Sequence, residues 1–560
     1  MIRLAVFCAA GLGVYFTFEN TRLVLAIVLL AIVLFLFLVS RHSDLQYKRD
    51  RLKALIDINE TEIKVLRRNF HDLPDGDLYQ DPQHYFSQDI DLFGRGSFYQ
   101  YANRTALPQG SDTFARLLTE NSIDEIAQKQ EAIKELAQMP EWRQNFSAVA
   151  SLAKAETSSE NIARWLSGYS PFMPKLMRIL PWIYSGISLM IFVLYLADIV
   201  PVSLLILNLT IGLGITFSYF KKITGLTAEA SKARSTFQQY NILLTEIEET
   251  PFKSEYLQKL KSAIVSESEK TSGIIKKFAD QLNSLDKNGN VFYLFFANGF
   301  FLRTLIHCYQ VENWIQKHGN SVEKWFETIA FFDAFNSLGN FAFNHPTYAY
   351  PVLSEGETVL RSEAAGHPLL HPEKSVLNDF KIGAAQFFII TGANMAGKST
   401  FLRTVSLQIV MANVGLPVCA ASVAYSPIKL ITSMRTTDSL TDDESYFFSE
   451  LKRLKFIVDE VQKDTYFIVL DEILKGTNST DKAKGSRKFV ERLVASKSTG
   501  IIATHDLSLC EVAKELPQIE NHYFDAEIID NELHFDYTFK EGICQNMNAS
   551  FLLKKMEIVD

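Results

Sequence analysis

Two pairs of long apolar runs interrupt an otherwise mixed pattern of hydrophobic and polar positions. Every residue in 23–39 is apolar, which is close to the roughly 20 residues that a helix needs to cross a bilayer. The preceding run, 4–18, is shorter, and four residues separate the two. We therefore expect a transmembrane hairpin over residues 1–41. A cleavable signal peptide is the alternative for the first run.

The second pair of runs, 179–196 and 202–219, is joined by a tight connection. It predicts a second transmembrane hairpin over residues 176–222, with a pair of buried core helices as the alternative. No run contains a charged residue, so the four spans are typical of anchors rather than of a transport path. By the positive-inside rule, flanking basic residues indicate that both termini and the long segments are cytoplasmic. These residues are Arg3, Arg41, Lys48, Arg49, Arg51, Lys175, Arg178, Lys221 and Lys222.

The remaining N-terminal segments follow a helical pattern. Residues 42–175 are predicted to form the first half of an all-α core domain, and residues 223–345 its second half with long lever helices. The aromatic stretch 291–301 is interpreted as core packing rather than as a base-stacking surface. The helical spacing is clearest among five apolar residues of the first segment: Leu52, Ile56, Ile63, Leu66 and Phe70.

Composition narrows the class of protein further. The chain has 560 residues, of which 47% are hydrophobic and 21% charged, and this mixture excludes a disordered or collagen-like chain. The formal net charge of −8 argues against a general nucleic-acid coat, although it permits a local basic groove. The five cysteines form no CxxC pair. Neither a zinc site nor a disulfide framework is therefore indicated, and a reducing compartment is the simpler interpretation.

A glycine-rich segment, 391–400, carries the pattern GxxxxGK[ST] between a short apolar run and a periodic run. The motif requires this strand–loop–helix context, which makes a chance match the weaker alternative. Backbone N–H groups and the helix N-terminus would face phosphates, Lys398 would reach the β- and γ-phosphates, and Ser399 would bind Mg²⁺. The predicted nucleotide-binding residues are Gly392, Ala393, Asn394, Met395, Ala396, Gly397, Lys398, Ser399 and Thr400.

Two further apolar runs end in candidate catalytic residues. The first ends in Asp471 and Glu472, and acidic residues at a strand's carboxyl end lie beside the phosphate loop in a doubly wound sheet. Asp471 suits a role in Mg²⁺ binding, and Glu472 suits the polarisation of an attacking water. The second run is followed by His505, which could bind the γ-phosphate, although a structural histidine is the alternative. ATP and Mg²⁺ are thus the predicted cofactors of residues 346–560.

These segments resemble one known family, the MutS-type DNA mismatch repair ATPases, within the ABC/SMC-like class of P-loop proteins. Residues 391–400 are close to the family's TGPNMGGKST, with Ala393 and Ala396 replacing Pro and Gly. The other matching segments are 471–481, similar to DEIGRGTSTYD; 503–505, matching ATH; and 366–368, similar to RHP. The resemblance implies a P-loop ATPase domain behind an all-α core and lever domain, here interrupted by transmembrane helices. Residues 97–110 and 130–136 resemble parts of that core more weakly.

The chain departs from the family pattern in several places. A transmembrane hairpin stands where the family inserts its DNA clamp, and no mismatch-reading domain is found. The family segment that donates a serine across a dimer is shortened here, which makes Ser445 the candidate trans serine and Glu450 the closing glutamate. The resemblance also places Asp481 where such domains touch their partner. The family's adenine-stacking aromatic falls near Val376, which is not aromatic.

The sequence therefore predicts a membrane-anchored, MutS-like ATPase that hydrolyses Mg-ATP as a homodimer and couples hydrolysis to mismatched or branched DNA. Residues 381–560 contain 20 basic and 24 acidic residues, a net charge of −4, so a DNA-holding surface would have to come from the helical segments. The alternative is a nucleotide-switched membrane scaffold that grips a protein partner. An ABC transporter subunit is disfavoured, because the signature motif differs and the spans are featureless.

Overall fold

The computed structural model describes residues 2–152, 157–265, 269–286, 291–354, 356–393, 395–435, 446–475, 478–529 and 532–545. A helical region precedes a mixed α/β domain. The helices of the first region are α1 (Ile2–Phe16), α2 (Thr21–Leu66), α3 (Phe98–Ala102), α4 (Pro108–Thr119), α5 (Ile126–Ala137), α6 (Pro140–Ser151), α7 (Ser159–Ser167), α8 (Leu180–Leu196), α9 (Val202–Ser218), α10 (Phe220–Glu249), α11 (Glu255–Ser262), α12 (Thr271–Asp286), α13 (Val291–Phe301), α14 (Arg303–His318) and α15 (Val322–Asn344).

The N-terminal pair of apolar runs forms α1 and α2, and α2 is longer than the sequence predicted. Asn20 caps α2 by accepting hydrogen bonds from the N–H groups of Arg22 and Leu23, a typical helix start. The helix then continues without a break for 46 residues to Leu66. The predicted span and the predicted cytoplasmic helix are therefore one element.

The four apolar helices differ in length. By length and composition, the described residues contain one helix that could cross a membrane, Arg22–Leu66, or two if α9 and α10 count as one span bent by 65°. The other helices of the predicted hairpins, α1 and α8, have 15 and 17 residues, which is short for a full span. The prediction of four spans thus remains a prediction.

The helical core is organised around α15, which is buried along most of its length. Asp333 on this helix is fully buried, and its carboxylate accepts hydrogen bonds from the N–H groups of Ala106 and Leu107, just before α4. Because Pro108 opens α4 without a side-chain cap of its own, Asp333 caps that helix from a distant part of the chain. Gly110 is required there, since a Cβ atom would overlap the Asp333 carboxylate.

The α/β domain contains a six-stranded sheet that is parallel except for its last strand. Its strands are β1 (Val352–Leu353), β2 (Thr358–Ala365), β3 (Asn378–Gly383), β4 (Phe387–Gly392), β5 (Ser422–Tyr425), β6 (Lys429–Ser433), β7 (Tyr466–Asp471), β8 (Thr499–Ala503), β9 (Ile519–Phe524), β10 (Ala526–Ile529), β11 (Glu532–Phe535) and β12 (Lys540–Glu541). The order in the large sheet is β12-β9-β4-β8-β7-β6; a second sheet has the order β1-β5-β2-β3, and β10 pairs with β11.

Helices α16 (Lys398–Val414), α17 (Tyr446–Glu460) and α18 (Ser479–Ala495) complete the domain. The central strands β4, β7 and β8 are buried almost throughout. This explains their unbroken apolar sequences, because a parallel sheet covered on both faces has no polar side. The strands whose ends carry the candidate residues are adjacent, since β8 pairs with both β4 and β7.

Candidate nucleotide-binding site

The glycine-rich loop connects β4 to α16 as the sequence predicts. Gly392 ends the strand with φ of 150°, and a Cβ atom there would lie 2.5 Å from the carbonyl oxygen of Phe524. Met395 and Gly397 have left-handed backbones, with φ of 67° and 108°, which turn the chain into the helix. The N–H groups of the first turn of α16 therefore point towards the loop, the usual arrangement for binding an anion. Asn394 lies outside the described residues.

Lys398 is held inside this loop and is only 6% exposed. Its Nζ donates hydrogen bonds to the carbonyl oxygens of Gly392, at 2.7 Å, and Ala393, at 3.0 Å. Burial lowers the pKa of Lys398, and the negative charges of Asp471 and Glu472 oppose that shift. The ammonium group is thus bound by the loop and lies next to two carboxylates.

The ends of β4, β7 and β8 bring the predicted chemical groups together. The Ser399 hydroxyl donates to Asp471 Oδ2 at 2.9 Å. His505 Nε2 lies 3.4 Å from Lys398 Nζ and 3.6 Å from Glu472 Oε1. Burial lowers the pKa of His505, and the charge of Lys398 acts in the same direction, which favours the neutral imidazole. Five residues predicted separately from the sequence therefore form one cluster.

The oxygen atoms of Ser399 and Asp471 suit Mg²⁺, which prefers hard oxygen ligands. In the part of the chain that the structure describes, no group of three or more His, Cys, Asp or Glu side chains could hold a metal ion. Mg²⁺ is commonly bound through only one or two protein ligands, with the remaining positions supplied by phosphate oxygens and water. The two side chains fit that mode of binding.

The residues that the resemblance assigns to the dimer contact, Ser445, Glu450 and Asp481, lie in different surroundings. Ser445 lies outside the described residues. Glu450, which the sequence grouped with it, is 3% exposed and accepts hydrogen bonds from the backbone N–H groups of Leu474, at 2.5 Å, and Lys475, at 3.0 Å. Glu450, the closing glutamate of that segment, thus binds its own chain just after Glu472, and its assignment to the trans segment stays a prediction. Asp481 is exposed at the start of α18, where Asn478 caps its N–H group.

Sequence reasoning missed two residues of the site. Tyr537 is 42% exposed, and a Cβ atom on Gly397 would lie 3.2 Å from its ring. The Nζ of Lys475 lies 3.7 Å from Glu472 Oε2. Tyr537 belongs to no recognised motif, so only its place in the fold reveals it. Val376, where the resemblance put a base-contacting aromatic, is an exposed aliphatic residue before β3.

The fold and the site define a mixed α/β domain with a phosphate-loop geometry, preceded by a helical region. Residues 388–556 match the sequence family described as MutS domain V. The chain is similar to the DNA mismatch repair protein MSH4 of Arabidopsis thaliana (30% identical over 37% of this chain and 27% of the relative). It is also similar to MutS protein homolog 4 of Homo sapiens (28%, over 44% and 26%) and to the DNA mismatch repair protein MutS of Desulfatibacillum aliphaticivorans (30%, over 42% and 27%).

These similarities are to the MutS family, and the family match lies in the C-terminal part of the chain, residues 388–556. The chain spans about a quarter of the length of the curated relatives it matches. The family similarity therefore applies to the α/β domain, and the helical region is described by its own structure.

Proposed function

We propose that this protein binds and hydrolyses Mg-ATP at the loop between β4 and α16. The contact between Ser399 and Asp471, at 2.9 Å, is the observation that carries the proposal. It joins the start of α16, after the loop, to the acidic end of β7, where a metal-bound triphosphate needs both groups. The similarity to MutS domain V supports the same activity.

Each side chain of the cluster has a chemical role in this proposal. The N–H groups at the start of α16 bind phosphate oxygens, and Lys398 leaves the loop carbonyls to pair with the β- and γ-phosphates. Ser399 and Asp471 would hold Mg²⁺, which would supply positive charge to offset the charge that develops on the phosphates. Glu472 orients the attacking water, and neutral His505 donates a hydrogen bond to the γ-phosphate as its charge grows.

Tyr537 gives the proposed site a surface for the nucleotide base. Its ring is partly exposed beside Gly397, and an aromatic face can stack on the flat face of a purine. We propose that Tyr537 takes the place of the aromatic residue that is missing at Val376.

We further propose that two copies form a homodimer through their α/β domains, with Ser445 of one copy and the exposed Asp481 near the nucleotide of the other. The named relatives support an action on DNA, since two of them are called DNA mismatch repair proteins. Mismatched or branched duplex DNA is the proposed substrate. The net charge of −4 for residues 381–560 means that phosphate-binding surfaces would lie on the helical core.

The apolar helices support a membrane location for the whole molecule. The apolar window of α2 is entirely unburied, and soluble proteins rarely expose such large apolar surfaces. We propose that α1, α2, α8 and α9 anchor the protein in the bilayer with both soluble regions in the cytoplasm, on the side of the basic flanking residues.

The apolar helices and the negative net charge of the chain favour a second candidate function. The protein could act as a nucleotide-switched membrane scaffold that grips a protein partner, with hydrolysis serving as a timer. The two functions share the ATPase site and differ in whether DNA binds.

The first test is ATP hydrolysis by the full chain in detergent with Mg²⁺. We expect Glu472→Gln to lower kcat at least a hundredfold with little change in nucleotide binding. The matched control is Glu373→Gln, which makes the same change at a side chain that is 89% exposed. Equal activity in the wild type and in Glu472→Gln would contradict the ATPase proposal.

Duplex DNA separates the two functions. If the protein acts on DNA, mismatched or branched duplexes stimulate hydrolysis, and added salt removes the stimulation because phosphate contacts release counterions. Hydrolysis that depends on Glu472 but ignores every duplex would favour the scaffold, and the similarity to mismatch repair proteins would then reflect ancestry.

A further inference from the structure

The aromatic stretch that the sequence assigns to the soluble core lies elsewhere in the structure. It forms α13, which packs against α8 and α9, the helices of the second predicted hairpin. The Tyr184 hydroxyl on α8 donates to the carbonyl oxygen of Gly299 on α13, at 3.1 Å. Gly212 on α9 contacts the same residue so closely that a Cβ atom would overlap its carbonyl.

The outer face of α13 is apolar and unpartnered. Phe295, Phe296 and Phe301 are 49%, 59% and 42% exposed, and the helix contains no charged residue. The two helices that α13 packs against also expose apolar side chains, including Trp182, Ile183, Met190, Phe192, Ile206 and Ile211. The three helices therefore share one apolar surface, which is much larger than a water-soluble protein normally leaves exposed.

We propose that α13 is embedded in the lipid bilayer as a third membrane element, a half-length helix seated against the α8–α9 hairpin. Its 11 residues extend about 16 Å, roughly half of a 30 Å hydrocarbon core, so it enters the bilayer without crossing it. This inference rests on the proposed membrane location of the hairpin. In it, phospholipid acyl chains cover the exposed apolar side chains of α13.

The depth of α13 follows from its contact with α9. Gly212 lies six residues before the end of α9 at Ser218, or about 9 Å along the helix. If α9 lies in the bilayer, Gly299 lies at the same depth below the cytoplasmic surface. Where a helix ends at this depth, its free backbone N–H and C=O groups need hydrogen-bond partners within the protein, because lipid chains offer none.

The break between α13 and α14 meets that requirement. Leu302 has a left-handed backbone, with φ of 49°, and is fully buried. Its N–H group donates to the carbonyl oxygen of Asn298, and the Asn298 side chain accepts from the N–H group of Thr304, at 2.9 Å. Asn298 is itself fully buried. The turn is thus closed by its own hydrogen bonds.

Positive charge marks the expected membrane surface. Arg303 begins α14 directly after the turn. Arg178 precedes α8, and Lys221 and Lys222 follow α9. These side chains suit the negative headgroups of the cytoplasmic leaflet. Basic residues therefore lie at the open ends of the α8–α9 hairpin and at the C-terminal end of α13.

Site-specific photo-crosslinking tests the proposal in the full chain. The photoreactive residue p-benzoylphenylalanine replaces Phe296, and the protein is reconstituted in vesicles of phosphatidylethanolamine and phosphatidylglycerol. Two other phenylalanines of similar exposure are replaced in the same way as controls. Phe192 on α8, 48% exposed, is the positive control, and Phe343 on α15, 49% exposed, is the negative control. We expect lipid adducts at positions 296 and 192 at roughly tenfold or greater yield than at 343, because only the first two contact acyl chains.

Each other outcome overturns the proposal in a distinguishable way. Adducts at position 192 without adducts at 296 would leave the hairpin in the membrane and remove α13 from it. Equal adduct yields at positions 296 and 343 would likewise show that α13 lies outside the membrane. If neither 296 nor 192 gives adducts, the membrane location of the hairpin fails, and the inference that rests on it fails with it.

Discussion

The carboxylate of Glu450 connects the start of α17 to the chain that follows Glu472. It accepts backbone hydrogen bonds from Leu474 and Lys475, and both Glu472 and Leu474 adopt left-handed backbones, with φ of 53° and 59°. Such conformations are costly for side chains larger than glycine and need support from their surroundings. Glu450 supplies that support, so we assign it the role of a positioning residue for Glu472.

Replacing Glu450 tests this role. We expect Glu450→Gln to lower kcat about tenfold while KM for ATP stays nearly constant, because a hydrogen bond to a charged acceptor is worth about 1.5–3 kcal/mol. The control is Asp459→Asn on the same helix, whose half-exposed carboxylate pairs only with Lys455 among the ion pairs of the described residues. A rise in KM without a fall in kcat would contradict positioning and indicate a contact with nucleotide.

Buried histidine provides a second test at the residue scale. His522 is 6% exposed and stacks on Phe539, with ring centroids 4.5 Å apart. Burial lowers its pKa to about 4, below the 6.5 of an exposed histidine. As the pH falls, His522 is therefore protonated at a higher pH in the unfolded chain than in the folded chain. Stability from this residue is complete above pH 6.5 and is lost as the pH falls towards 4.

We expect the free energy of unfolding to fall between pH 6.5 and pH 4 by up to about 1.4 kcal/mol per pH unit on account of this histidine. Denaturant unfolding of wild type and His522→Phe across that range measures the effect, and the variant should have a shallower slope. His371→Asn is the control, because the His371 side chain is 51% exposed. Identical slopes for wild type and His522→Phe would refute the prediction.

At the scale of elements, the contact between α9 and α13 depends on one glycine. A side chain at Gly212 would overlap the backbone of Gly299, whereas a Cβ atom at Gly214, on the same helix, would meet nothing within 4 Å. The two positions therefore separate helix–helix packing from the general effect of removing glycine from an apolar helix.

We expect Gly212→Val to lower the midpoint of thermal unfolding in detergent by several degrees, since overpacking of a close contact costs about 1–3 kcal/mol. Gly214→Val should leave the midpoint unchanged or slightly higher. Differential scanning fluorimetry of the full chain compares the two. Equal shifts would mean that α13 does not depend on this contact.

The elements that the sequence predicts well are those whose pattern is local. The order strand, loop and helix around Lys398, and the acidic end of β7, follow from short runs of residues, and the structure has them where expected. The position of α13 could not be predicted in this way. Its aromatic residues are compatible with several packing partners, and only the contact between Gly299 and Gly212 shows that α13 packs against α9.

The residues that complete the site illustrate the same limit. Glu450 is 22 residues from Glu472 in sequence, and Tyr537 is 140 residues from Gly397. Neither pairing follows from spacing, because each depends on how the strands are ordered in the sheet. The family pattern marked Glu450 only as the closing glutamate of a segment, and its burial against the chain after Glu472 became apparent only from the fold.

At the scale of the whole molecule, α2 connects the apolar N-terminus to the soluble core. Its 46 residues extend about 70 Å. Near its end, Glu62 binds Arg104 at 2.6 Å and Asn344 at 2.5 Å. Two residues beyond the helix, Arg68 donates to the carbonyl oxygen of Pro368 in the α/β domain. One continuous helix thus connects the apolar N-terminal segment to both the helical region and the α/β domain.

The segment after α2 continues this link to the nucleotide site. Asp89 is 6% exposed, and its carboxylate accepts hydrogen bonds from the Thr432 hydroxyl, at 2.5 Å, and the Arg435 N–H group, at 2.8 Å. Arg403, which follows Ser399 by one turn of α16, donates to the Asp89 carbonyl oxygen at 3.1 Å. The helical region therefore holds the α/β domain at a point close to the phosphate loop.

We expect Asp89→Ala to lower the free energy of unfolding by about 3 kcal/mol, because the buried Thr432 hydroxyl and the Arg435 N–H group lose a charged acceptor, and to separate the unfolding of the two regions. Calorimetry of the full chain should then show two transitions where the wild type shows one. Asp81→Ala, at an exposed position of the same segment, is the control. If Asp89→Ala unfolds in a single transition with unchanged ATP hydrolysis, this contact does not couple the two regions.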